Sequence, residues 1–243
     1  MKALILKEIR SFFGSITGYV VVGVYLLINS SFLWIFSNSF NVLDSGYATI
    51  ENLFIISPWV FLFLIPAITM RMFSDEKKAG TMELLLTKPL SDLQIVYAKI
   101  IAGVLLVVVS VLPTLLYFYS IYMLGNPVGN IDIGGTIGSY IGLVFLGCGF
   151  VSIGVFASAL TDNQIIAFLL AVFLCLFFHI GFDTIADLGT FSSVALFVKE
   201  LGINEHYLSL SRGVIDSRDV IYFVGLVIIF GLATRLVIQS RKW

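Results

Sequence analysis

Charge is what this sequence has least of. Asp, Glu, Lys and Arg make up 12% of its 243 residues, against about 25% in an ordinary soluble domain, and that scarcity excludes a soluble enzyme. Cysteine is limited to Cys148 and Cys175, both inside apolar runs. A thiol there behaves as a small hydrophobe, so neither is assigned any chemistry. No G-x-x-x-x-G-K-[ST] loop occurs, which excludes nucleotide binding by the P-loop mechanism. No Asp, Glu, Lys or Arg falls near the centre of an apolar run, where a proton relay or ion site within a membrane needs one. That disfavours a proton-coupled carrier, and the absence of paired polar groups at membrane depth disfavours an intramembrane enzyme. His179 and Asp183 stand four apart, but two ligands do not make a metal site, and interfacial polar packing is expected of them. No catalytic, cofactor-binding or metal-ligating residue is therefore assigned.

What is present in abundance is uninterrupted apolar sequence, 59% of the chain being hydrophobic. Charge-free intervals cover 33 positions between Arg10 and Asp44, 19 between Glu51 and Arg71, and 32 between Lys99 and Asp132. A further 29 lie between Asp132 and Asp162, 20 between Asp162 and Asp183, and 15 between Asp219 and Arg235. A helix needs about 20 apolar residues to cross a hydrocarbon core roughly 30 Å thick. The last interval reaches that length if Arg235 snorkels to the interface. Continuous runs, rather than alternation, exclude a β-barrel. The expected fold is all-α, a polytopic membrane protein with six transmembrane helices at about 16–36, 53–70, 100–124, 136–160, 165–182 and 220–237. Pro58 and Pro66 in the second span and Pro113 in the third predict kinks. Gly134, Gly138 and Gly142 form a small-residue ridge entering the fourth, expected to serve packing within the chain rather than a dimer seam.

The basic residues orient the spans. The N-terminal stretch, the 71–99 connection and the tail fall on one side by parity and carry 11 of the 14 Lys and Arg, so that side is expected to be cytoplasmic. With six acidic residues there, the inner face sums to +5 and the outer face to -6. A basic start before an apolar run also fits a signal peptide, but this run is too long and lacks a small-residue cleavage site. Before the first span, Ile5, Ile9, Phe12 and Phe13 share one helical face while Lys7, Glu8, Arg10 and Ser11 share the other, the pattern of an interfacial elbow helix lying on the inner leaflet.

The connection 71–99 reads RMFSDEKKAGTMELLLTKPLSDLQIVYAK. Ser74 is placed to cap a helix opening with Asp75 and Glu76, Gly80 to interrupt it, Thr81 and Glu83 to begin a second short helix parallel to the membrane, and Pro89 to close it. Leu84, Leu85 and Leu86 beside charges of both signs suit a surface that presses into another protein. Glu76, Gly80, Thr81, Glu83, Leu85, Leu86, Pro89 and Leu90 stand in the pattern E-x-x-x-G-T-x-E-x-L-L-x-x-P-L, which resembles the permease subunits of ABC-2-type transporters. The resemblance implies that this segment is the coupling helix that contacts a separate ATPase, with Asp75, Glu76, Gly80, Thr81, Glu83, Leu85, Leu86 and Pro89 as the contact residues.

It further implies that residues 1–243 form one permease domain with no nucleotide-binding domain, and that ATP and Mg are bound by the partner ATPase. Six spans imply half of a twelve-helix assembly, completed by a second copy or a related permease. The partners are thus an ATPase, another permease and the bilayer, with no nucleic acid. The stretch from His206 to Tyr222, HYLSLSRGVIDSRDVIY, looks like the outer segment of gliding-motility-associated permeases and of those serving nitrous-oxide-reductase maturation. Short re-entrant or interfacial helices are expected within 184–218, where the hydrophobic piece 191–198 is too short to span. The expectation is a multi-pass exporter of the bacterial cytoplasmic membrane linked to gliding motility, with both termini cytoplasmic. Reductase maturation, or an envelope scaffold without transport, are the alternatives.

Overall fold

Residues 1–86, 90–187 and 195–240 are described by a computed structural model. Their regular structure is all helical, with no strand among the described residues. Helix α1 (Lys2–Phe13) leads into six helices long and apolar enough to cross a membrane. These are α2 (Ile16–Ile35), α3 (Glu51–Lys78), α5 (Asp92–Leu124), α6 (Ile133–Leu160), α7 (Gln164–Asp187) and α10 (Ser217–Ser240). A single-turn helix, α4 (Met82–Leu86), lies between α3 and α5. Between α7 and α10 stand α8 (Ala195–Lys199) and α9 (Ile203–Leu210), both too short to cross.

Helix α6 is the hub, packing against α3, α5, α7 and α10. Within their most apolar windows α3 and α6 are 72% buried, whereas α2 and α7 are 22% buried, which makes the latter two peripheral. Side-chain caps set several starts. Asp132 accepts from Gly135 N at 2.9 Å and Asn163 from Ile165 N at 2.9 Å, while Ser91 and Gln94 form a reciprocal capping box. Such caps satisfy amide groups that the helix itself leaves unpaired. Pro58 and Pro66 sit inside α3 without ending it. Pro113 falls in a 3-10 turn, Leu112–Thr114, that interrupts α5. There Thr114 Oγ1 donates to Val111 O at 2.7 Å and lies 3.1 Å from the Tyr140 hydroxyl of α6.

The glycine ridge of α6 is filled from within the chain. A Cβ at Gly138 would meet Gly213 Cα at 2.7 Å, and one at Gly142 would meet Leu210 Cβ at 2.6 Å. The segment carrying α9 therefore lies along α6, fastened by Ser139 Oγ donating to Ser211 O (2.8 Å) and Tyr207 Oη donating to Phe54 O (2.7 Å). Burial pushes the Tyr207 hydroxyl pKa well above its ordinary value. Of the short hydrophobic piece 191–198, residues 191–194 lie outside the described residues. His179 is buried edge-on to Trp59 and Phe150, and Asp183 Oδ2 accepts from Asn204 Nδ2 at 2.8 Å. No cluster of three metal-ligating side chains exists among the described residues.

Candidate coupling site

One end of the bundle gathers α1, the end of α3, α4 and the start of α5. Helix α3 runs beyond Met70, the limit expected from hydropathy, to Lys78. The cause is a pair of serines. Ser74, expected to cap a helix, is buried within one, and its Oγ bonds back to the Met70 carbonyl. Ser158 of α6 accepts from Phe73 N (2.9 Å) and Ser74 N (3.2 Å) and donates to Met70 O (2.9 Å). It thereby takes up groups that the irregular turn at Met70 removes from the ladder. Gln164 bonds to Asp75, and Lys77 bonds to the Ala159 carbonyl. The end of α3 is thus tied to the junction of α6 and α7.

A second set of contacts ties it to α1. Lys99 of α5 has no exposed surface. Its Nζ donates to Glu8 Oε1 at 2.8 Å and to Met72 O at 2.5 Å, lies 3.0 Å from Glu76 Oε2, and sits 4.9 Å above the Phe73 ring. Lys7 Nζ donates to Glu76 Oε1 at 2.6 Å. Taking a charge out of water costs several kcal/mol per ion, so a wholly buried ammonium persists only beside compensating carboxylates and acceptors. Two lysines and two glutamates balance, and the balance joins three chain segments. Partial burial is the largest single influence on Lys7 and works to lower its pKa, but the hydrogen bond and charge of Glu76, joined by Glu8, together raise it above 10.5.

The end of α3 is closed by a left-handed glycine. Gly80 has φ +65°, Gly80 N donates to Lys77 O at 3.1 Å and Thr81 N to Glu76 O at 2.9 Å. These are the paired bonds of a Schellman motif. A Cβ at Gly80 would meet nothing within 4 Å, so the backbone angle alone calls for glycine. The chain then enters α4, where Met82 and Leu85 turn inward at 3% and 6% exposure.

The expected contact residues therefore divide. Gly80, Thr81 and Glu83 are exposed at the tip, beside Lys78 and Ala79. Glu76 and Leu85 are not surface groups: the first is held by Lys7 and Lys99, and the second anchors α4 to the core. Asp75 is half-buried against Gln164. Pro89 and the side chain of Leu86 lie outside what is described. Sequence reasoning missed Glu8, Lys99, Ser158 and Gln164. For Lys99 the available signal was a charge at the edge of an apolar run, and for Glu8 an acid within an otherwise basic and apolar segment.

A family model described as ABC-2 family transporter protein matches residues 9–238. The chain belongs to the ABC-2 transporter family. No curated protein matches it. Members of this family are membrane transport components that work with an ABC ATPase, and the chain's six long apolar helices accord with a multi-pass membrane protein. On the flank of this ABC-2 protein a groove of ≈ 690 Å³ runs between α2, α3 and α7, lined by Tyr25, Trp59, Phe63 and Phe168 among aliphatic side chains. Exposed Val20, Val24, Ile55, Trp59 and Phe63 line it, so an apolar surface remains there that the chain itself does not cover.

Proposed function

We propose that residues 1–243 form the permease domain of an ABC-2-type exporter, powered by a separate ATPase that binds ATP and Mg. The observation that carries this reading is the exposed tip formed by Lys78 to Thr81 and Glu83, hung from α3 by the Gly80 turn and backed by the Glu76–Lys99–Glu8 contacts. A push on the tip passes into α3 and, through Lys99, into α1 and α5 together. In this reading Gly80, Thr81, Glu83, Leu86 and Pro89 meet the ATPase, while Asp75, Glu76 and Leu85 transmit the load inside the permease.

The basic end faces the cytoplasm, with both termini there, because 11 of 14 basic residues gather on that side. Helix α1 lies along the inner leaflet as an elbow, and α8 and α9 sit at the outer interface. The apolar groove between α2, α3 and α7 is where a second permease chain completes the transporter. The likeness of residues 206–222 to the outer segment of gliding-motility permeases, and of those serving nitrous-oxide-reductase maturation, supports a bacterial cytoplasmic membrane location, with a role in gliding as the favoured reading.

The test is co-purification of the ATPase with wild type, Gly80→Val and Glu83→Gln at equal permease expression, followed by ATPase assays in lipid. Loss of association or of transport-linked hydrolysis is expected for both variants. Full retention by both would make the tip a passive connector.

A further inference from the structure

At the acidic end, one imidazole holds three pieces of chain together. His206 of α9 has Nδ1 2.7 Å from Asp219 Oδ1 at the start of α10 and Nε2 2.9 Å from the Glu200 carbonyl, just after α8. Its ring stacks on Tyr222 of α10 at 3.9 Å between centroids, and Tyr222 Oη donates to Leu201 O at 2.8 Å. Both ring nitrogens therefore face acceptors, a carboxylate and a backbone carbonyl. Neither acceptor has a proton to give, and a neutral imidazole carries only one N–H. With Asp219 ionised, the arrangement is satisfied at both ends only by an imidazolium; removing one proton then sets a ring lone pair against an oxygen lone pair. Asp219 is itself buried, and its Oδ2 has no hydrogen-bond partner, so a positive ring is also what offsets that carboxylate.

We propose that His206 is a pH-operated clasp: protonated, it fastens the α8–α9 segment to α10, and deprotonated, it releases that segment. The segment is the cover of the acidic end, since α9 meets the α6 ridge at Gly142, the turn after it meets Gly138 through Gly213, and α9 reaches α3 through Tyr207. The charged groups around the clasp are Lys199 and Glu200 at the end of α8, Glu205 on α9, Asp183 and Asp187 on α7, and Arg218 and Asp219 on α10. Helix α6 carries no Asp, Glu, Lys or Arg and contributes only Tyr140 and Cys148, while α7 adds His179. Lys199 is held by Asp187 at 2.9 Å, so it does not compete with His206 for Asp219. Closure is present while both ring nitrogens carry protons and is lost, as pH rises, when one of them is removed. Only the side of the membrane that is sensed rests on the orientation proposed above; the clasp itself does not.

The chain has only two histidines, so ring nitrogens can be read directly by NMR on histidine-labelled full-length protein in nanodiscs, with His179→Phe to assign the signals. The expected result at pH 5.5 is two protonated nitrogens on His206. Hydrogen exchange of amides in 203–210, corrected for intrinsic rates, should speed up roughly tenfold or more between pH 5.5 and 8, the scale of one charge-assisted bond. In His206→Gln that pH dependence should vanish. A neutral His206 ring at pH 5.5, equal protection at both pH values, or an unchanged pH dependence in His206→Gln would each overturn the proposal. The readouts involve neither ATPase nor transport, so their failure is distinct from failure of the exporter reading.

Discussion

Lys99 Nζ, wholly buried at the start of the third span, lies 2.8 Å from the Glu8 carboxylate on the N-terminal helix, 91 positions earlier in the chain. Glu76 at the end of the second span lies 3.0 Å from the same ammonium. Removing one member leaves the others buried without neutralisation, which costs about 3 to 5 kcal/mol. Lys99→Met should lower the unfolding free energy of the purified protein by that amount. Adding Glu8→Gln should recover part of the loss, because one stranded carboxylate disappears. Strict additivity of the two changes would show that the residues are not coupled.

The other lysine of the cluster behaves differently with pH. The pKa of Lys7 is raised above 10.5 in the folded chain, so its contribution is whole below the unfolded value and fades only as pH climbs through the folded one. Between pH 6 and 9 the stability difference between wild type and Lys7→Met should stay constant and small, since the side chain is 56% exposed and screened. Unfolding curves across that range measure it. A difference that shrinks before pH 9 would contradict the raised value.

Ser158 is the hinge pin between the second and fourth spans. Ser158→Ala removes the acceptor for Phe73 N and Ser74 N and the donor to Met70 O. Leaving a buried polar group unpaired costs about 1 to 3 kcal/mol, so the variant should lose at least that much stability. Exchange of the amides at 73 and 74 should rise selectively. Unchanged protection at those two amides would show that water or the helix ladder replaces Ser158.

The existence of the six spans was legible because charge-free length is a local property that the bilayer reads directly. Their ends were less so. Helix α3 continues to Lys78 because Ser74 turns inward and the chain stops only where Gly80 adopts φ +65°. Helix α5 begins at Asp92, eight residues before Ile100, because Ser91 and Gln94 cap it. The turn at Gly80 was readable, since a glycine after a basic helix end is a local signal. The Glu8–Lys99–Glu76 cluster was not, because it joins residues 91 and 23 positions apart and no periodicity connects them. The burial of Leu85 was not legible for a related reason: its place in the chain's own core depends on contacts distant in sequence.

Orientation is open to a direct chemical test. In a background lacking Cys148 and Cys175, a single cysteine at exposed Lys78 should resist a membrane-impermeant thiol reagent in intact cells, and one at Asn130 should react. The 11-to-3 division of basic residues motivates the expectation. Labelling at position 78 with protection at 130 would invert the topology and put the proposed ATPase-contact tip on the wrong side for any cytoplasmic ATPase.

Close approach on the α6 ridge makes a last, position-specific prediction. Gly134 and Gly138 are neighbours on one helical face, yet their surroundings differ. A Cβ at Gly134 would meet only Asp132 Oδ1 at 3.6 Å, an ordinary contact, whereas at Gly138 it would fall 2.7 Å from Gly213 Cα. Backbone cannot swing aside as the end of a flexible side chain does, so Gly138→Ala must push the 211–213 segment off the helix. Overpacking of this kind costs about 1 to 3 kcal/mol, and here it also strains the bond from Ser139 Oγ to Ser211 O. Gly134→Ala should be neutral or slightly stabilising, because alanine favours the helix by about 1 kcal/mol over glycine. Thermal unfolding of the two variants in the same detergent, with hydrogen exchange over 203–213, separates them. Equal behaviour of the pair would mean that the segment does not rest on α6 as described.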